Sequence, residues 1–212
     1  PHGRIRRQRQ MCIRDSLCDL AVRSLDELID FQQYPVRAAE IATKARRSLG
    51  VGFIGLAHYL AKQGVKYEDP AAWQLIHDLT ESFQYHLLKA TVQVAKEKGA
   101  CEYSGNTKYS HGILPIDTYK KDVDELVPNN LKHDWESLRE EVKEYGVRNS
   151  TLSAQMPSES SSVVCNATNG IEPPRGYLSV KKSKKGPLKQ IVPSYGTLKN
   201  LSLIHISEPT RP

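Results

Sequence analysis

From Leu17 to Tyr34 the apolar residues Leu20, Val22, Leu25, Leu28, Ile29 and Phe31 return at intervals near 3.6. That period predicts a helix, which Pro35 closes. An Ala-rich stretch from Val36 to Ser48 keeps helical patterning up to Leu49-Gly50-Val51-Gly52, and Phe53 to Lys62 resumes it until Gly64. Asp69-Pro70 opens what reads as the longest helix, running to about Lys98. Along it Trp73, Ile76, Leu79, Phe83, Leu87, Ala90 and Val94 fall three or four residues apart on one face, and Gly99 stops it.

The pattern then loosens. Glu102 to Pro128 is rich in turn formers, with a short helix expected over Asp117 to Leu126, and a clearer helix follows from Asp134 to Tyr145 ahead of Gly146. Val147 to Met156 predicts a short buried strand that ends at Pro157. Ser158 to Asn169 predicts one more helix, ended by Asn169-Gly170. Tyr177 to Val180 and Leu188 to Val192 read as a hairpin around Lys184-Lys185-Gly186. These elements make the N-terminal two-thirds of the chain helix-rich.

The two ends carry a different signal. A DNA stretch ATGTGTATAAGAGACAG encodes Met11 to Asp15 and the start of Ser16, and its reverse complement encodes Leu201 to His205 and the start of Ile206. This inverted repeat resembles the mosaic end of a transposon-based sequencing adapter, so residues 1–16 and 201–212 are expected to be non-native tails around a native stretch 17–200, itself an excerpt. Five arginines and one aspartate before Leu17 account for four of the six net positive charges, leaving +2 for the remainder. The basic balance of the whole chain therefore gives no argument for a nucleic-acid or membrane partner.

With Cys12 set aside, Cys18, Cys101 and Cys165 are an odd, scattered set without a C-x-x-C pair, which fits reduced thiols and a cytoplasmic setting. His58, His77, His86, His111 and His133 form no set with cysteines or carboxylates that suggests a metal, so no metal site is expected. No apolar run approaches the roughly 20 residues of a membrane span.

The stretch with most chemical content is Pro157-Ser158-Glu159-Ser160-Ser161-Ser162, at the expected strand-to-helix junction. First-turn N–H groups lack intrahelical partners and the helix dipole adds partial positive charge there, so such a junction suits an anion. The same serines could equally cap a surface helix. The Glu159 carboxylate would repel a phosphate, so its expected contribution is a backbone N–H or a sugar contact.

At these residues a family resemblance enters. RNSTLSAQMPSESSS followed by NATNGIEPPRGYLS, with LGVGFIGLAHYLAK, Lys98-Gly99-Ala100-Cys101 and GILPIDTYKKDVD upstream in the same order, resembles the catalytic barrel of the large subunit of class I ribonucleotide reductases. The resemblance implies a fragment of a ten-stranded α/β barrel, with the substrate's phosphates held on Ser158, Glu159, Ser160 and Ser161. Ser160 stands where the family often has Thr, and Cys165 where it has Ser or another small residue. The resemblance also implies a parent that reduces ribonucleoside diphosphates by thiyl-radical chemistry. It would work as a homodimer with a small subunit holding a metal-radical cofactor, regulated by ATP and dNTP effectors and re-reduced by thioredoxin or glutaredoxin. No catalytic residue and no cofactor is assigned to the present chain. Cys165, like Cys18 and Cys101, is expected to be a buried structural thiol.

Two other patterns compete. Gly50-Val51-Gly52-Phe53-Ile54-Gly55 matches the G-x-G-x-x-G dinucleotide fingerprint, but charged, helical Ala38 to Ser48 precedes it where a strand is required. The turn 181–185, with four lysines, offers a nucleic-acid-binding module as an alternative. It lacks interleaved aromatics, and lysines on an exposed edge also discourage strand pairing.

Overall fold

The computed structural model of the protein describes residues 2–183 and 186–198. In chain order they form α1 (His2–Phe31), α2 (Arg37–Arg46), α3 (Leu56–Lys62), α4 (Pro70–Lys98), α5 (Trp135–Tyr145), α6 (Glu159–Val164), β1 (Leu178–Ser183) and β2 (Gly186–Ile191). They divide into two compact units: Pro1–Val51 with His77–Ala154, and Gly52–Ile76 with Gln155–Pro212.

The first unit has one apolar core. Val22 and Ile29 of α1, Leu87, Leu88, Val92 and Val94 of α4, Leu138 and Val142 of α5, and Val147 and Leu152 beyond it are buried together. Each such side chain contributes about 1.5–3 kcal/mol on burial. The C-terminal half of α4 is buried on more than the one face its spacing predicts, since Leu88, Thr91, Val92 and Ala95 join Leu87, Ala90 and Val94. Helix α5 starts where the Asp134 carboxylate accepts the Ser137 N–H at 3.0 Å, and it ends at Gly146, whose φ is 70°.

Several expectations for this unit change. Helix α1 begins at His2 rather than Leu17 and, with 30 residues, exceeds α4 by one. The backbone at 2–16 is thus helical, while residues 201–212 lie outside the described residues. The short helix expected over Asp117 to Leu126 is replaced by tight 3-10 turns, among them Pro115–Asp117 and Lys121–Glu125.

The strand expected over Val147 to Met156 reduces to a single parallel bridge between Val51 and Ser153. Its early donors are taken elsewhere: Asn149 N–H by the Thr91 hydroxyl at 2.9 Å and Ser150 N–H by the Arg46 carbonyl at 3.0 Å. Only the next residues meet extended chain, with Leu49 N–H donating to Thr151 O and Val51 N–H to Leu152 O.

In the second unit the hairpin forms as expected, antiparallel with Leu178 opposite Ile191 and Ser183 opposite Gly186. Lys184 and Lys185, the centre of the basic turn, lie outside the described residues. Helix α6 stops at Val164 instead of Asn169. Asn166 takes a left-handed conformation (φ 48°), and the Ala167 N–H turns back to the Ser162 carbonyl at 2.8 Å. Among the described residues the named strands make only this two-stranded sheet, so the architecture seen is helix-rich α/β and not barrel strands.

Candidate functional site

The candidate residues lie in the second unit, where the chain leaves Pro157. Ser158 occupies the position before α6 in the left-handed region, φ 54° and ψ 40°, and its hydroxyl makes no capping bond. An N-cap hydroxyl reaches the first-turn N–H groups from β-region dihedrals. From this conformation the Ser158 Oγ instead turns to the Met156 carbonyl at 3.3 Å. Capping therefore does not account for the serine run, and the Ser160 and Ser161 N–H groups, in the first turn of α6, have no intrahelical acceptor.

Glu159, Ser160 and Ser161 are exposed, Ser158 is half-buried, and Ser162 is fully buried. Ser162, which sequence reasoning passed over as one more serine, locks the loop. Its Oγ lies 3.0 Å from the Glu159 carbonyl and 2.5 Å from Asn169 Oδ1. The return segment is braced by α3, since the Gly55 N–H donates to Thr168 O at 3.0 Å and the Leu56 N–H to Gly170 O at 3.3 Å. Gly170 sits so close to the loop that a Cβ there would meet the Met156 carbonyl at 2.8 Å. Tyr67 donates to Ile171 O at 2.7 Å, and burial pushes its phenol up to about 12.

Beside the loop is a cavity of about 330 Å³ whose wall includes Glu159, Thr168, Asn169, Glu172, Arg175 and Gln190. Of the four candidate residues only Glu159 lines it; Ser158, Ser160 and Ser161 do not. The Thr168 hydroxyl is buried without a partner among the described residues. Among the described residues Arg175, part of the Pro173-Pro174-Arg175-Gly176 run, is the one cation on this wall, opposed by two carboxylates.

Cys18, Cys101 and Cys165, the cysteines whose side chains are described, form no site among the described residues. Cys18 and Cys101 are buried, and burial pushes the Cys101 thiol up. Cys165, expected to be buried, is exposed, because the short α6 ends there and turns its other face, Ser162, inward. Among the described residues no group of His, Cys, Asp and Glu is placed to hold a metal ion, and no helix is long and apolar enough to cross a membrane. The G-x-G-x-x-G segment follows α2 and not a strand, with Gly55 directly preceding α3.

The family model for the ribonucleotide reductase barrel domain matches residues 8–208. The chain belongs to the ribonucleotide reductase barrel-domain family. It is 61% identical over 178 residues to the ribonucleoside-diphosphate reductase subunit alpha of Haemophilus influenzae, covering 84% of this chain and 24% of that protein. It is 56% identical over 167 residues to the ribonucleoside-diphosphate reductase 1 subunit alpha of Escherichia coli (79% and 22%), and 52% identical over 180 residues to the ribonucleoside-diphosphate reductase subunit alpha of phage T4 (85% and 24%). The chain thus spans about a quarter of the length of these reductase subunits.

Proposed function

We propose that this chain is the late part of the catalytic barrel of a class I ribonucleoside-diphosphate reductase large subunit, and that Ser158, Glu159, Ser160 and Ser161 hold the phosphates of a ribonucleoside diphosphate. The observation that carries the reading is the uncapped start of α6. Ser158 is held in a left-handed turn that withholds its hydroxyl from the first-turn N–H groups, while Ser160 and Ser161 stay exposed. A six-residue helix adds little dipole, so the donors themselves supply the affinity. Each hydrogen bond to a charged phosphate contributes about 1.5–3 kcal/mol. Glu159 takes part through its backbone or the sugar, since its carboxylate repels phosphate.

In this reading the parent removes the ribose 2′-hydroxyl by thiyl-radical chemistry. It acts in the cytoplasm as a homodimer with a small subunit that holds the metal-radical cofactor, under ATP and dNTP effectors, and thioredoxin or glutaredoxin restores its reducing dithiol. In this reading Cys18, Cys101 and Cys165 match none of the family's catalytic cysteines, so the chain alone forms no deoxyribonucleotide. The native stretch is 17–200, between tails encoded by adapter-like DNA.

Proline fits the first turn of a helix but carries no N–H. In the full-length parent, Ser160→Pro should raise KM for the diphosphate substrate about tenfold or more, whereas Ser160→Ala, which keeps the N–H, should raise it less. An unchanged KM in the proline variant would end the proposal.

A further inference from the structure

The first unit holds a cavity of about 390 Å³ that the substrate-loop reading leaves unused, walled in part by the GILPIDTY segment. Its charged lining residues are both cations, Arg46 and Lys108. Arg23, Arg47, Arg139 and Arg148 in the same unit each pair with a carboxylate, yet among the described residues no ion pair involves Arg46 or Lys108. The Arg46 guanidinium instead lies over the Tyr103 ring, 4.2 Å from its centroid. Stacking fixes the plane of a guanidinium and leaves its N–H edge available. Ser48 Oγ and Ser150 Oγ, also on the wall, are 3.1 Å apart, so one hydroxyl hydrogen is spent between them and the other is left for a ligand. Ile113, 38% exposed, supplies an apolar surface at the same cavity.

We propose that this cavity binds a small phosphate-bearing molecule, its phosphate on Arg46 and Lys108 with the Ser48–Ser150 hydroxyls, its organic part against Ile113. A planar, stacked guanidinium with hydroxyl donors and no opposing carboxylate is the arrangement that recognises a phosphate monoester. Two cations at one open hollow suit a small molecule rather than a polyanionic backbone, which needs a long basic track.

The test is calorimetric titration of the 212-residue chain with inorganic phosphate and with phenyl phosphate at low salt, circular dichroism confirming the fold of each variant. Phosphate should bind in the millimolar range and phenyl phosphate several-fold tighter. Arg46→Gln should weaken both about tenfold or more and Lys108→Gln several-fold, whereas Arg37→Gln, which removes an exposed charge off the cavity wall, should change neither. Ser160→Pro separates this site from the substrate loop: it should leave phosphate binding intact here, and loss of binding in that variant would move the anion to the loop and overturn the proposal. So would absence of binding by the folded chain, or equal weakening by Arg37→Gln and Arg46→Gln.

Discussion

Arg47 Nε donates to Asp26 Oδ1 across 2.6 Å, and both side chains are buried. The pair sits in a larger network. Arg47 also donates to the Asp26 carbonyl and to both oxygens of Asp30, and Asn149 Nδ2 and Arg148 Nε reach Asp26 from the segment after α5. Arg47 keeps a left-handed φ of 48° to do this, as the cap of α2. Glycine would relieve that backbone and abolish the pair.

Removing one partner leaves a charge buried among its former ligands. Arg47→Met should therefore destabilise the chain by about 3–5 kcal/mol, measured by urea unfolding. A loss below about 1 kcal/mol would show that the network relaxes around the missing charge.

The same network sets the response to acid. Burial pushes the Asp26 carboxyl up, but the hydrogen bond and charge of Arg47, with Asn149 and Arg148, outweigh it and hold it below the usual range; Asp30 is lowered first by its bond to Arg47. A carboxyl lowered in the folded state contributes stability above its unfolded value, about 3.9, and loses it as pH falls through the folded value. His86, lowered by burial against the opposing pull of Asp15, adds a separate loss that starts below about pH 6.5. Unfolding free energy against pH should thus fall in two stages, and Asp26→Asn should flatten only the lower one. Flattening of the upper stage in that variant would contradict the assignment.

The loop at Ser158 should depend on Gly170, whose φ is 38° and whose added Cβ would press on the Met156 carbonyl. Gly170→Ala should cost about 1–3 kcal/mol in stability. In the parent it should also raise KM for the diphosphate substrate, as the left-handed turn at Ser158 is displaced. Wild-type stability and KM in this variant would show that the two segments are not coupled.

How much of this was legible varied by element, for physical reasons. Helix α4 was readable closely because Pro70 is a local start signal, Gly99 a local stop signal, and its apolar period is long. Helix α5 was readable through Asp134 and Gly146. Residues 147–156 were not, since apolar alternation reports burial and not the partner of the backbone, which here is largely a helix side chain and a helix-end carbonyl. The end of α6 depends on a left-handed Asn166, for which no glycine advertises the turn. At the candidate site the serine run was visible, whereas its uncapped geometry, the lock at Ser162 and the cavity beside Glu159 are tertiary facts.

Helix α1 carries two apolar stripes. Cys18, Val22 and Ile29 enter the core, while Leu17, Leu20, Leu28 and Phe31 fall on another side and stay exposed, Phe31 by 86%. At 100° per residue these four positions lie within one narrow face. Exposed Ser24 divides the face into two apolar patches, Leu17 with Leu20 and Leu28 with Phe31, and exposed patches of this kind drive association in water. The isolated chain should therefore self-associate as concentration rises in sedimentation velocity, and Leu20→Glu with Phe31→Glu should return it toward monomer. Helical content should not fall, because both side chains point away from the core. A chain that stays monomeric throughout would overturn the prediction, and a double variant that associates as before would assign the association to another surface, such as the exposed Leu178, Val180 and Ile191 of the hairpin.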